Sequence, residues 1–317
     1  MSVQQPIDSG FGARSTTAEV LAGIDLEGRL AIVTGGNSGL GLATSHALLN
    51  AGATVIVAVR RPEAAAEAFD AVGGVEIRRL DLSDQASVHA FADRFAADGR
   101  AIDILINNAG VMAMPETRVG PGWEAQFATN HLGHYTLANR LWPALEADGG
   151  ARVVALSSSG HRISPIRWDD VMFGTSYDNW LAYGQSKTAN ALFAAHLDAL
   201  GRDHGVRAFA VDPGAIMTPL QRYLTREEMT DRGWIDVEGN VHPAFKTPEQ
   251  GAATQVWAAT SPRLARTGGL YLQDCDVAPL ADGNAVGVRS HAVDPEEAGR
   301  LWALSAELTG VNAFRKP

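Results

Sequence analysis

Tyr183 and Lys187 lie four residues apart in Tyr183-Gly184-Gln185-Ser186-Lys187. If the segment is helical, both side chains share one face. A free tyrosine titrates near pH ~10. An adjacent ammonium favours the phenolate and lowers that value. A tyrosine tuned in this way can exchange a proton with a substrate oxygen near neutral pH. Such a pair is common and usually structural, so its meaning depends on what accompanies it.

A second group of residues could hold a phosphate. The apolar run Leu30–Val33 leads into Thr34-Gly35-Gly36-Asn37-Ser38-Gly39-Leu40-Gly41, and a helix over Leu40–Asn50 follows. Glycines permit a tight turn and let a pyrophosphate approach the backbone. The first turn of a helix adds unpaired N–H groups and partial positive charge. Placed between a strand and a helix at the start of an alternating series, such a loop points to a dinucleotide. A site for NAD usually carries an acidic residue at the end of the second strand. Here that strand is Thr54–Val59, Val59 occupies the expected position, and Arg60 and Arg61 follow. No carboxylate repels a 2′-phosphate there, and arginine offers it planar, paired donors. NADP(H) is therefore favoured over NAD(H).

Other chemistry-bearing residues carry less. His131 and His134 have a spacing that could bind metal, but no acidic or cysteine partner accompanies them, and they read as helix packing. His161 follows the serines at 157–159 and could touch a substrate. Ser158 lies in Leu156-Ser157-Ser158-Ser159-Gly160, without the glycine-flanked elbow of a serine hydrolase. Cys275 is the sole cysteine, so no intramolecular disulfide can form; Asp274 and Asp276 flank it and disfavour a thiolate.

The elements that must position these groups show in the apolar rhythm. Short runs at Leu30–Val33, Thr54–Val59, Val75–Leu80, Ile102–Ile106, Arg152–Leu156, Arg207–Val211 and Gly269–Leu272 read as strands buried on both faces. Candidate helices lie between most of them, at Leu40–Asn50, Pro62–Ala71, Ser83–Ala97, Trp123–Leu145 and Tyr183–Leu200. The alternation predicts an α/β fold, a doubly wound parallel sheet of Rossmann type with helices on both faces. No linker cuts the chain, so we expect a loose N-terminal arm over 1–25 and a single domain over 26–317. The stretches 160–182 and 215–247 break the rhythm and carry aromatic residues: Trp168, Phe173, Tyr177 and Trp180, then Tyr223, Trp234 and Phe245. Both follow strands, where ligands of such folds sit, and could wall an apolar substrate. The tail at 294–310 reads as a helix that either packs on the core or covers the substrate mouth.

Composition bounds the rest. The 317 residues include 26 Lys and Arg against 36 Asp and Glu, a net charge of −10, which makes a general nucleic-acid binder a poor reading. Apolar residues reach 46 %, enough for a sizeable core. No apolar run approaches the roughly 18 residues of a membrane span, and the first residues lack the order of a secretory signal. The expectation is a cytoplasmic protein that acts on small molecules.

Taken together, these motifs resemble the short-chain dehydrogenase/reductases over roughly residues 26–275. The resemblance rests on Thr34–Gly41, Asp81 after the third strand, Asn107-Asn108-Ala109-Gly110, and Asn130. It continues through the serines, Tyr183 to Lys187, and Pro213-Gly214 with Thr218. Asn130-His131-Leu132-Gly133-His134-Tyr135, the long interval from Ser158 to Tyr183, and the place of Arg60 are similar to the retinol-dehydrogenase-like and protochlorophyllide-reductase-like branch. The resemblance implies a hydride transfer between NADP(H) and a carbonyl or alcohol. Tyr183 would be the general acid or base. Lys187 would lower its pKa and hold the nicotinamide ribose, and Ser158, or else Ser159, would bind the substrate oxygen. Asn130 would bend its helix and hold a water linked to Lys187. Gly35, Asn37, Ser38, Gly39, Leu40 and Gly41 would hold the pyrophosphate side, with Arg60 and Arg61 on the 2′-phosphate. Asp81 and Leu82 would meet the adenine. Asn108, Ala109 and Gly110 would line the cofactor, with Asn107 supporting that side of the sheet, and Pro213, Gly214 and Thr218 would bind the carboxamide end. Family members often form dimers or tetramers through the helices near 123–145 and 183–200, which implies a homo-oligomer. Reduction of an activated C=C bond, or a non-catalytic NADP-binding regulator, remain the alternatives.

Overall fold

The computed structural model describes residues 3–70, 72–283 and 286–314. The expected helix end at Ala71 and the outermost ends of the arm and domain lie outside these residues. In chain order the elements begin with helix α1 (Thr17–Val20), β1 (Leu30–Thr34), α2 (Gly39–Asn50), β2 (Thr54–Val59) and α3 (Pro62–Ala66). Then come β3 (Val75–Arg79), α4 (Gln85–Ala97), β4 (Ile104–Asn107), and the short strands β5 (Arg118–Val119) and β6 (Trp123–Glu124). Helices α5 (Ala125–Phe127), α6 (Gly133–Arg140) and α7 (Trp142–Leu145) precede β7 (Arg152–Leu156), α8 (Asn179–Gly201) and β8 (Arg207–Asp212). Helices α9 (Arg226–Asp231) and α10 (Pro248–Thr260), strands β9 (Leu270–Gln273) and β10 (Asp276–Val277), and α11 (Pro295–Thr309) complete the order.

The main sheet has eight strands in the order β10-β9-β8-β7-β4-β1-β2-β3. All neighbours run parallel except β10, which pairs antiparallel with β9. The order reverses between β1 and β4, where a crevice must open at the carboxyl ends of both strands. Alternate residues of β1 go to opposite faces: Leu30 and Ile32 join Phe91, Phe95 and Phe193 under α4, α6 and α8, while Ala31 and Val33 join Leu48, Val256 and Trp257 under α2 and α10. Covering both faces lets the inner strands be largely apolar, whereas β3 at the sheet edge, expected to be buried on both faces, is only partly buried and carries Glu76, Arg78 and Arg79.

Several expectations need correction. The expected helix over 123–145 is interrupted. Trp123 and Glu124 pair with β5, a π-helical turn spans Ala128–Leu132, and a new helix starts at Trp142 with Pro143 in its first turn. The arm is not loose. Gln4 donates to the carbonyls of Tyr271 and Ala278 at 2.7 Å and accepts from Tyr271 N–H, while Ile7 and Ser9 N–H bind the Asp276 carboxylate. Sequence reasoning also missed α10. Its residues are buried nearly all round, so it has no polar face to set a period. Thr247-Pro248-Glu249-Gln250, a capping box with proline at the first turn, was the available signal.

Helix α11 packs on the core and does not reach the crevice. Its Trp302 stacks on Phe193 of α8 at 5.9 Å and meets Tyr135 of α6 edge-on at 4.8 Å. Ser305 Oγ accepts from His131 Nε2 at 2.7 Å. The chain then continues along α6, where Tyr135 donates to the Val311 carbonyl and Ala313 N–H binds Asn139. Among the described residues, no helix is long and apolar enough to cross a membrane.

Candidate active site

The crevice at the strand reversal is the mouth of a cavity of about 790 Å³. One end is made of backbone. Gly41 sits so close to the preceding turn that a Cβ there would lie 2.2 Å from the Gly35 carbonyl oxygen. Gly35 itself has φ +63°, which favours glycine. Helices α4, α8, α10 and α11 begin with side-chain caps from Asp84, Asp178, Thr247 and Asp294, whereas the first turn of α2 has none from Ser38. Its N–H groups face the cavity, and an anion is the natural partner for them.

Thr34 ties this loop to the neighbouring strand. Its Oγ1 accepts from the N–H groups of Asn108 and Ala109, both at 2.9 Å, and Asn108 Nδ2 donates to the Thr34 carbonyl at 2.8 Å. His134 Nε2 lies 2.9 Å from the same hydroxyl, and its Nδ1 donates to the Asn130 carbonyl. Full burial pushes the His134 value down to about 4, so the ring is neutral and links the loop to the π-helical turn. His131 is buried too, pushed down to about 3, and bonds to Ser305 instead. The two imidazoles therefore serve separate packing contacts.

Along this end lie Asn37, Ser38, Gly39, Leu40, Arg60, Asp81, Leu82, Gly110, Pro213, Gly214 and Thr218, all as expected from the sequence. Arg60 and Arg61 are exposed, but only Arg60 lines the cavity; Arg61 stands at the start of α3. Asn107 is buried behind, with neither amide atom hydrogen-bonded. Thr218 packs against Gly39 and caps the turn Pro219–Tyr223.

The opposite end holds Ser158, Tyr183 and Lys187. Tyr183 lies one turn inside α8 rather than opening it. Its phenol lies within electrostatic reach of the Ser158 side chain, and a Cβ at Gly160 would approach both the Tyr183 ring and Ser158 Oγ, which singles out Ser158 among the three serines. Ser157 instead donates to the Lys187 carbonyl at 2.8 Å. A Cβ at Gly160 would lie 2.7 Å from the Tyr183 ring, so glycine is what lets ring and serine loop meet.

Lys187 does not act on the phenol in the way its spacing implied. Its Nζ donates to the Leu156 carbonyl at 2.9 Å and sits 5.6 Å from the centre of the Tyr183 ring. Burial dominates both groups. It pushes the Tyr183 phenol up to about 12, with the nearby Ser158 side chain opposing this in part, and the Lys187 ammonium down to about 8. The Asn130 side chain is held on the protein. Its Oδ1 accepts from Val111 N–H, and its Nδ2 donates to the Val111 carbonyl and to Ser186 Oγ. It does lie in the expected helix distortion, the π-helical turn.

His161, a weaker candidate for touching the substrate, is fully buried and does not line the cavity. Its Nδ1 donates to the Ser158 carbonyl at 2.7 Å, Tyr271 donates to the same oxygen at 3.0 Å, and its Nε2 accepts from Arg289 N–H. It braces the serine turn from behind. The aromatic loops divide. Of the aromatic residues in 160–182 only Trp180 lines the cavity, while Trp168 bonds to Glu297 and Tyr177 to the Met114 carbonyl. In 215–247, Tyr223, Trp234 and Phe245 all line it. Met112, Met114, Arg162, Ile163, Arg222 and Arg232 also line it and were missed; their only signal was nearness to the motifs.

The family model for the short chain dehydrogenase matches residues 29–229. The chain belongs to the short-chain dehydrogenase family. This short-chain dehydrogenase is 46% identical over 297 residues to a probable oxidoreductase of Streptomyces antibioticus, covering 90% of this chain and 98% of that one. It is 37% identical over 294 residues to mouse retinol dehydrogenase 12, covering 91% and 88%. Among solved structures it resembles an uncharacterised protein from Mycobacterium paratuberculosis with TM-score 0.72 at 34% identity, covering 94% and 98%. It also resembles Pseudomonas aeruginosa RhlG, solved in an NADP active-site complex, with TM-score 0.62 at 26% identity, covering 79% and 96%. The short-chain dehydrogenase is thus an oxidoreductase of that family, and structural neighbours support a nicotinamide cofactor.

Proposed function

We propose that this oxidoreductase transfers a hydride between NADP(H) and the carbonyl or alcohol group of a fairly apolar small molecule, with Tyr183 as acid and base. One observation carries the reading: Tyr183 and Ser158 lie side by side in the same cavity as the uncapped first turn of α2. The residues fit the cofactor, because Gly41 and Gly35 leave the backbone bare and Arg60 stands at the end of β2 with no acidic residue at Val59. When bound, the nicotinamide supplies the hydride chemistry.

The chain's own residues supply the proton. In reduction, negative charge builds on the substrate oxygen as its carbon gains the hydride. Ser158 and Tyr183 donate to that oxygen, so their bonds strengthen toward the transition state. Tyr183 then gives up its proton. An alkoxide is a stronger base than phenolate, so a phenol with a high pKa is a competent donor. Lys187, anchored on Leu156, places positive charge under the ring. Asn130 acts indirectly, by pinning Val111 beside the cavity.

The Tyr183→Phe variant tests the reading. It should keep its affinity for NADPH while reduction of apolar aldehydes and ketones falls about 10²- to 10⁴-fold. Undiminished turnover in that variant would sink the proposal.

Pairing through helices near 123–145 and 183–200 would have to use faces other than the groove between α6 and α8. Trp302, Ser305 and the residues after α11 already occupy the groove between α6 and α8.

A further inference from the structure

Beyond Ser158, Tyr183, Lys187 and a few neutral polar side chains, the substrate end of the cavity is lined by apolar residues and by arginine. Among its described lining residues are three arginines of that end, Arg162, Arg222 and Arg232, while Asp81, at the far cofactor end, is the one acidic side chain. That is unexpected in a protein with a net charge of −10. A cavity for a neutral apolar molecule gains nothing from guanidinium groups, which cost desolvation whenever apolar matter covers them.

Arg232 is the best placed of the three. Its guanidinium carbon lies 3.8 Å from the centre of the Trp180 ring and 5.9 Å from that of Trp234. The two indoles meet edge to face at 6.1 Å, and Phe245 packs on Trp234 at 6.0 Å. Stacking on aromatic faces holds a guanidinium in place while leaving its in-plane N–H donors free. No carboxylate or carbonyl takes those donors among the described residues. Trp180 also meets the Tyr183 ring edge-on at 6.2 Å, so the guanidinium stands one indole away from the proton donor. Arg162 adds to the same field: it directly follows the serine turn, lines the cavity, and has a buried Nε without a hydrogen-bond partner. Arg222 is turned aside, stacked at 4.9 Å on Tyr223 and donating to the Pro219 carbonyl.

We infer that the substrate is an apolar carbonyl or alcohol compound that also carries a carboxylate, held by Arg232. This rests on the oxidoreductase reading and narrows its substrate class. A carboxylate accepts two parallel N–H bonds from a planar guanidinium. The apolar remainder lies against Met112, Ile163, Leu220 and Trp234, and the carboxylate fixes which carbon faces Ser158 and Tyr183.

The test is a binding measurement that needs no turnover. Octanoate and methyl octanoate are titrated into the NADP⁺-saturated protein, following tryptophan fluorescence and heat. Octanoate should bind at least about tenfold tighter than its ester, the scale of a charge-assisted pair. Arg232→Gln should bring octanoate down to the affinity of the ester, and Arg232→Lys should retain part of the preference. Arg232 is exposed, so neither variant threatens folding. Equal affinities, no octanoate binding, or a preference that survives Arg232→Gln would each overturn the inference. Tyr183→Phe separates the two readings, since it abolishes turnover and leaves the octanoate preference in place.

Discussion

The two ends of the cavity are built on different principles. The cofactor end is mainly backbone: a bare glycine turn, an uncapped helix start and the Asn108–Gly110 strand end, pulled together by Thr34 and His134. The substrate end is mainly side chains, brought from a serine turn, from α8 and from a loop some fifty residues further on, between β8 and α10. Backbone recognition requires glycine at fixed positions and leaves a motif. Side-chain recognition requires only a shape, which many sequences can supply.

The sharpest way to break this contrast is at the backbone end. Gly41→Ala forces a methyl against the Gly35 carbonyl. Loss of NADPH binding should be nearly complete, together with destabilisation of about 1–3 kcal/mol, read by fluorescence titration and urea unfolding. An intact cofactor site in this variant would mean that the glycine turn yields easily and that the contrast is overdrawn. Gly160→Ala applies the same test to the substrate end, where the methyl would meet the Tyr183 ring. It should lower kcat about tenfold or more by displacing the ring from Ser158, with NADPH affinity retained.

Arg60 sharpens the comparison, being a side-chain contact at the backbone end. Arg60→Ala should weaken NADPH about tenfold and leave NADH unchanged. Equal binding of the two cofactors by the wild type would remove the phosphate role of Arg60. The pH dependence separates the two directions of reaction. With the Tyr183 phenol up at about 12, reduction should be flat through neutral pH and fall only as Lys187 loses its proton above about 8. Oxidation needs the phenolate and should rise with pH. Rate profiles in both directions check this, and an oxidation rate independent of pH would remove Tyr183 as the base.

Acid should act more gently, on the scaffold beneath both ends. His131, His134 and His161 have folded values of about 3, 4 and 4, below the ~6.5 of an unfolded histidine. Below that value the unfolded chain binds protons that the folded one refuses. Stability therefore falls as pH drops from 6.5 toward 4, by up to about 1.4 kcal/mol per pH unit for each ring. Buried Asp212 and Glu124, both raised by burial, act in the opposite sense. Urea midpoints measured between pH 7 and pH 5 should decline; a level profile would mean that water reaches the rings.

Legibility in the sequence follows the same division. Six of the seven parallel strands showed as apolar runs, because burial on both faces leaves little choice of residue, while the edge strand β3 showed only through Val75 and Ile77 between charged residues. Gly35 to Gly41 and Asn108 to Gly110 showed because their backbone must be approached. Of the interruptions in the helix over 123–145, only the distortion at Asn130 was implied; the pairing of Trp123 and Glu124 with β5 and the new start at Trp142 did not show. Nor did the partner of Lys187, because the Leu156 carbonyl comes from a strand brought near only by the fold. His161 was misplaced for a related reason: adjacency to Ser158 in sequence says nothing about which side of the turn its ring takes.

Helix α11 changes what dilution can do to this molecule. Where two chains must meet to cover a groove, the cover is lost as concentration falls, and each association costs translational and rotational freedom. Here the cover is tethered to what it covers, and Trp302 reaches Phe193 and Tyr135 by folding alone. Dilution therefore does not uncover this face of α6 and α8, and only unfolding does.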